Sequence, residues 1–183
     1  MTCMAKVVNR NMDAELPIGD EVPIGYRFRP TDEELMRYYL SDKVFLGSVP
    51  SQIIREIDVS QLYAHHPKEL VESKCDKSER EQYFFVHHDD YFHGKIKKER
   101  SVGDEIGVWR STGDEVPIYD SRGNIFGFKI HFTYFGCKTK KTHWRMEEYR
   151  LINIESRDDE QVMQIEDWVL ARITRGTDYS KSY

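Results

Sequence analysis

Two short runs hold many of the side chains able to grip a phosphate: Lys95, Lys97, Lys98 and Arg100, then Lys138, Lys140 and Lys141. Ammonium and guanidinium groups bind phosphodiester oxygens through charge-assisted hydrogen bonds, so a localised basic patch is the electrostatic footprint of a nucleic-acid partner. The chain as a whole argues the other way, with a formal net charge of -5. Regional counts resolve the conflict. Residues 1–90 carry 11 Lys+Arg against 17 Asp+Glu, residues 91–150 carry 12 against 8, and residues 151–183 carry 4 against 7. One basic middle segment therefore sits between two acidic ones. The plainer alternative for clusters this short is a solvated surface, and they would also suit a nuclear import signal.

Other chemistries find less support. The seven histidines, His65, His66, His87, His88, His93, His131 and His143, invite a metal reading. None has a zinc-type spacing with cysteine, and no CxxC occurs. Adjacent histidines on a strand point to opposite faces, so His87 and His88 could not ligate together simply. Nothing resembles a phosphate-cradling glycine loop, a nucleophile elbow or an HExxH helix. The residues thus imply no metal, no cofactor, no enzyme activity and no small-molecule substrate. Cys3, Cys75 and Cys137 are odd in number and widely spaced, which suggests reduced thiols in an intracellular compartment.

The elements that must position these side chains belong to one domain, since 183 residues suffice for a single core. Residues 1–20 are polar and aperiodic and read as a lead-in. Residues 21–175 form the domain, and 176–183 are a short tail. The N-terminus has no signal-peptide h-region, and no apolar run approaches the roughly 18 residues of a membrane span. Thr31-Asp32-Glu33-Glu34 has the form of a capping box after Pro30. Leu35, Met36, Tyr39 and Leu40 then recur at helical spacing until Gly47 and Pro50. Residues 51–57 are a short apolar run, and residues 64–72 suggest a second short helix near Pro67.

After residue 80 the hydrophobic period changes to two. Tyr83–Val86, Gly107–Ser111, Ile125–Phe135, Trp144–Ile152 and Trp168–Ile173 are aromatic and β-branched runs. Ser121–Asn124 between two of them is a hairpin signal. With no crossover-length helices visible, the expected fold is α+β, mainly β: a twisted antiparallel sheet flanked by a few helices.

Four blocks add a further signal: VPIGYRFRPTDEEL (22–35), GVWRSTG (107–113), THWRMEEYRL (142–151) and DWVLARI (167–173). In this order they resemble the NAC domain, the DNA-binding module of a large family of plant transcription factors. The resemblance covers about residues 22–175. It implies a nuclear, sequence-specific binder of double-stranded DNA that works as a homo- or heterodimer. It implies a twisted antiparallel sheet with flanking helices, in agreement with the pattern above.

The resemblance also assigns residues. GVWRSTG stands where the family usually has WKATG, a strand edge that enters the major groove, which admits a β-ribbon as well as a helix. On that footing Trp109 anchors the strand from the core, Arg110 reaches phosphate, Ser111 and Thr112 lie near base edges, and Gly113 lets the backbone turn. Lys97 and Arg100 match positions that contact the sugar–phosphate backbone. Lys129 matches a strand lysine, and Lys138, Lys140 and Lys141 fall in a basic loop near DNA. For dimerisation, Val22, Pro23, Ile24, Gly25 and Tyr26 match a short strand that pairs with its symmetry mate. Arg27 and Glu34 match the two halves of a reciprocal salt bridge, as an isologous contact requires.

The chain departs from the family pattern too. Asp114 and Glu115 follow WRSTG where a lysine is usual, Ile130 replaces a second strand lysine, and Asp104 and Glu105 add charge ahead of the strand. At about 1 kcal/mol or less per exposed charge, such changes would weaken DNA binding. Beyond DWVLARI the sequence continues for only TRGTDYSKSY, little beyond the domain, whereas the family usually has a long variable region. These features suggest an alternative: a DNA-binding-impaired protein that dimerises with other NAC factors and titrates them.

Overall fold

The computed structural model describes residues 28–47, 53–72, 80–87, 99–103, 106–137, 140–152 and 168–176. The capping box forms as expected. The Glu34 backbone N–H donates to Thr31 Oγ1 at 3.2 Å, and Glu34 Oε2 accepts from the Thr31 backbone N–H at 2.8 Å. Three helical segments follow without a break, Asp32–Glu34, Leu35–Leu40 and Ser41–Leu46, together called α1. The middle segment is wound more widely than an α-helix. The Ser41 backbone N–H donates to the Met36 carbonyl, five residues back, and the Ser41 hydroxyl donates to the same oxygen at 2.9 Å. This winding brings Leu35, Met36 and Leu40 onto one fully buried face. Gly47 closes the helix at φ +69°, a left-handed conformation that favours glycine.

Eight strands form one sheet: β1 Arg55–Asp58, β2 Glu81–His87, β3 Glu99–Val102, β4 Gly107–Ser111, β5 Val116–Tyr119, β6 Ile125–Gly136, β7 Lys140–Leu151 and β8 Trp168–Arg175. Their order is β1-β2-β8-β7-β6-β4-β3, with β5 paired to β6. The five period-two runs appear as β2, β4, β6, β7 and β8. The hairpin before β6 also forms: Asp120 Oδ1 accepts from the backbone N–H of Arg122 and Asn124 at 2.9 and 2.8 Å, and Gly123 sits at φ +83°.

The mainly β architecture with a few flanking helices is as expected, with one departure. The sheet is mixed, because β1 and β2 run parallel. The connection from Asp58 to Glu81 carries two short helices, α2 Val59–Ala64 and α3 Pro67–Val71. Together they make a crossover long enough to return the chain in the same direction.

Alternation splits the core between the two sheet faces. Phe84, Val86, Trp109, Ile130, Phe132, Tyr134, Trp144, Met146, Val169, Ala171 and Ile173 pack on one face with Leu62 and Val71 of α2 and α3. Tyr83, Phe85, Tyr149, Leu151 and Leu170 pack on the other, against Leu35, Met36 and Leu40 of α1. α1 covers only part of its face. Further along β6 and β7 the same side presents His131, Thr133, Arg145 and Glu147, so that region is polar and open.

Candidate nucleic-acid interface

The GVWRSTG block forms β4 and the turn after it. Trp109 is fully buried and packs on Tyr134, with ring centroids 5.2 Å apart. Glycine at 107 is required by close approach: a Cβ there would lie 2.3 Å from Tyr134 Oη and 2.5 Å from the Phe135 carbonyl. With Trp109 turned inward, alternation turns Arg110 to the opposite face. Arg110 Nε donates to Glu99 Oε1 at 2.5 Å, and its guanidinium lies 5.0 Å from the Phe135 ring centroid. Ser111 pairs with Phe132 of β6, and the Thr112 backbone N–H donates to the His131 carbonyl at 2.9 Å. Gly113 then takes φ +132° with open space around it, so Thr112, Gly113 and Asp114 form an exposed tip. Glu115 turns back and is partly buried. Burial pushes its carboxyl above the ordinary range, opposed by the nearby Arg150.

The basic residues separate into three groups. Lys140 and Lys141 are exposed at the start of β7, and Lys141 pairs with Phe135, the residue under Arg110. The second basic cluster is thereby brought beside the WRSTG strand. Lys97 and Lys138 lie outside the described residues, as do Val22–Tyr26 and Arg27. Glu34 is described and serves the capping box through Oε2.

Arg100 and Lys129 form the third group, and their surroundings differ from the sequence expectation. Arg100 faces the core beside Trp109, its register partner. Its two terminal nitrogens donate to Glu148 Oε1 and Oε2 at 2.6 and 2.7 Å, and a further bond reaches Tyr63 Oη. Burial disfavours the Arg100 cation, but Glu148 outweighs it and holds the guanidinium pKa above its usual value. Lys129 Nζ lies 2.5 Å from Asp32 Oδ2, and its side chain is 14% exposed. Tyr149 Oη donates to Asp32 Oδ1 at 2.8 Å. Burial alone would raise the Asp32 carboxyl; the Lys129 and Tyr149 hydrogen bonds win and hold it below the ordinary range. In this conformation neither Arg100 nor Lys129 is available to an external phosphate. Both are committed to holding β3 and α1 onto the sheet, and both take partners from EEYRL.

Arg145 was missed by the sequence reading. It is exposed in the middle of β7 and pairs with Thr133 of β6 and Thr174 of β8, and its side chain forms no hydrogen bond or ion pair with any described residue. The signal was present: Arg145 stands between the apolar Trp144 and Met146, so a strand that buries those two must expose it. Among the described residues no cluster of His, Cys, Asp or Glu could hold a metal ion, and no helix is long and apolar enough to cross a membrane.

Comparison with known proteins gives this geometry its context. The model of the No apical meristem (NAM) protein family matches residues 23–151. Protein ATAF2 of Arabidopsis thaliana is 35% identical over 158 residues, covering 83% of this chain and 53% of that protein. NAC domain-containing protein 2 of Solanum lycopersicum is 37% identical, covering 84% and 55%. NAC transcription factor 32 of Arabidopsis thaliana is 35% identical, covering 84% and 59%. The chain thus spans about half the length of the curated relatives it matches. With the family model spanning everything from the segment before α1 to the end of β7, the chain belongs to the No apical meristem (NAM) family of NAC-domain proteins.

Proposed function

We propose that the chain is the DNA-binding and dimerisation domain of a nuclear transcription factor. It inserts the end of β4 and the Thr112–Asp114 tip into the major groove of sites with a CGT core. The observation that carries this reading is the exposed tip itself, with Arg110 just before it on β4 and Lys141 across β6 from the start of the same strand. Ser111, Thr112 and Gly113 approach base edges. Arg110, Lys140 and Lys141, with Lys97 and Lys138, contact phosphates, which supply affinity and position more than sequence preference. Trp109 holds the strand from the core.

Dimerisation uses Val22–Tyr26 as a strand against a second copy or another NAC protein, with Arg27 reaching the partner's Glu34. Glu34 keeps its helix cap in this arrangement. Oε2 carries both bonds to Thr31, leaving Oε1 for an arginine.

A second reading, a titrating partner of other NAC factors with little DNA binding of its own, draws on Asp114 at the exposed tip and on Glu99, which occupies Arg110. One experiment separates the two. Binding is measured across a salt series on a CGT-core palindrome and on a scrambled duplex, with wild type and Arg110→Ala. Sequence-dependent binding with a steep salt slope, weakened in the variant, supports the first reading. Equal weak binding to both duplexes by a protein that sediments as a dimer supports the second.

A further inference from the structure

We infer that Arg145 is a DNA-backbone contact, so that the interface extends from the tip of β4 across the open sheet face. This rests on the groove-reading role proposed for β4. Register places four residues in one row over four adjacent strands: Arg110 on β4, Thr133 on β6, Arg145 on β7 and Thr174 on β8. Directly paired residues share a sheet face. The row crosses an open cleft of 270 Å³ whose walls include Thr112, His131, Thr133, Arg145, Arg172 and Thr174. The cleft therefore begins at the proposed reading tip.

Among the described residues no acid pairs with the Arg145 side chain. Arg172 donates to Glu147 at 3.2 Å and to Glu81 at 3.1 Å, so Glu147, which itself lines the cleft, already has a cation. His131 and Lys129 also lie within 3.3 and 3.9 Å of Glu147. Arg145 has neutral threonines on both sides, and Arg172 is its diagonal neighbour on β8. Cross-strand partners stabilise a sheet through opposite charge or apolar contact. Arg145 has neither, and its charge raises the positive potential of an open face.

The spacing fits a groove wall. Neighbouring strands lie about 4.8 Å apart, so Arg145 stands two strands, or about 10 Å, from Arg110. The major groove is about 12 Å wide. A side chain that far from the reading edge meets the sugar–phosphate wall rather than a base. The half-buried Thr174 beside it supplies a further donor to phosphate oxygens.

The test is fluorescence-anisotropy titration of the CGT-core and scrambled duplexes between 50 and 200 mM salt. The proteins are wild type, Arg145→Ala, Arg145→Lys, Arg110→Ala and, as a surface control, Arg122→Ala in the distant β5–β6 turn. Losing one phosphate contact lowers the log–log salt slope by about 0.9, which is about fifteenfold in affinity at 50 mM and about fourfold at 200 mM. Arg145→Ala should show this loss on both duplexes equally, Arg145→Lys should largely restore the slope, and Arg122→Ala should leave it unchanged. An unchanged slope in Arg145→Ala, or an equal drop in Arg122→Ala, overturns the assignment while Arg110→Ala still reports on the reading of β4. Wild type that binds neither duplex overturns both.

Discussion

Arg100 and Arg110 stand on neighbouring strands, and each is paired with a glutamate, yet the two pairs live in opposite surroundings. Arg100 and Glu148 have side chains 2% and 1% exposed; Arg110 and Glu99 are 41% and 57% exposed. The first pair is bidentate, with the Phe132 ring 4.7 Å from the guanidinium carbon. It has left water, and either ion alone would bear a large desolvation cost. The second pair is one hydrogen bond in high dielectric, worth about 0–1 kcal/mol. The difference teaches which arginine can serve an external ligand. Arg110 can exchange Glu99 for a phosphate at little cost, whereas moving Arg100 would take from the buried Glu148 its bidentate partner and leave it only Arg150.

The sharpest way to break this comparison is to remove one ion from each pair. Arg100→Ala should cost about 3–5 kcal/mol by leaving Glu148 in the core with only the longer, 3.3 Å contact to Arg150. At about 2–4 °C per kcal/mol for a domain of this size, the melting temperature in thermal denaturation should fall by at least about 6 °C. Arg110→Ala should leave the melting temperature within about 3 °C of wild type and lower DNA affinity about tenfold at 50 mM salt, read by anisotropy. A thermal loss as large as that of Arg100→Ala would erase the distinction.

A smaller effect sharpens the same contrast on the α1 side. The folded Asp32 carboxyl lies below its unfolded value near 3.8. Its contribution is therefore fully present above that value and is lost as pH falls through the folded pKa. Wild type should exceed Asp32→Asn by about 1 kcal/mol or less at pH 7, since the carboxylate is 37% exposed. The gap should shrink as pH falls below 3.8 in urea denaturation. A gap that persists there would mean that the Lys129–Asp32 ion pair is not its source. The smallest effect belongs to Glu99→Ala, which frees Arg110: stability within about 0.5 kcal/mol of wild type, and DNA affinity raised about twofold to fivefold at low salt.

Legibility in the sequence followed the range of the interaction. The capping box at Thr31–Glu34, the Asp120–Asn124 turn and the period-two strands each depend on residues a few positions apart. The crossover between β1 and β2 was only half legible: Pro67 marked the helix that became α3, but α2 shows no signal of its own and the pair did not read as a connection of crossover length. Arg100 read as part of a basic run because its neighbours in sequence are lysines. Its neighbour in space is Glu148, 48 residues away. Alternation offered a partial remedy. Trp144 and Met146 face inward, so Glu148 must share their face, and Arg145 must take the other.

By itself the sequence determined the local grammar: where α1 begins, which residues of each strand face together, and a tip after Trp109 that only glycine at 113 turns freely. The tertiary structure alone decided which charges remain for a partner. Arg100 and Lys129 meet acids 48 and 97 residues away and are withdrawn from solvent, while Arg110 and Arg145 stay open. The physical reason is that a charge's availability depends on the dielectric and the counter-ion around it, and strand order sets both.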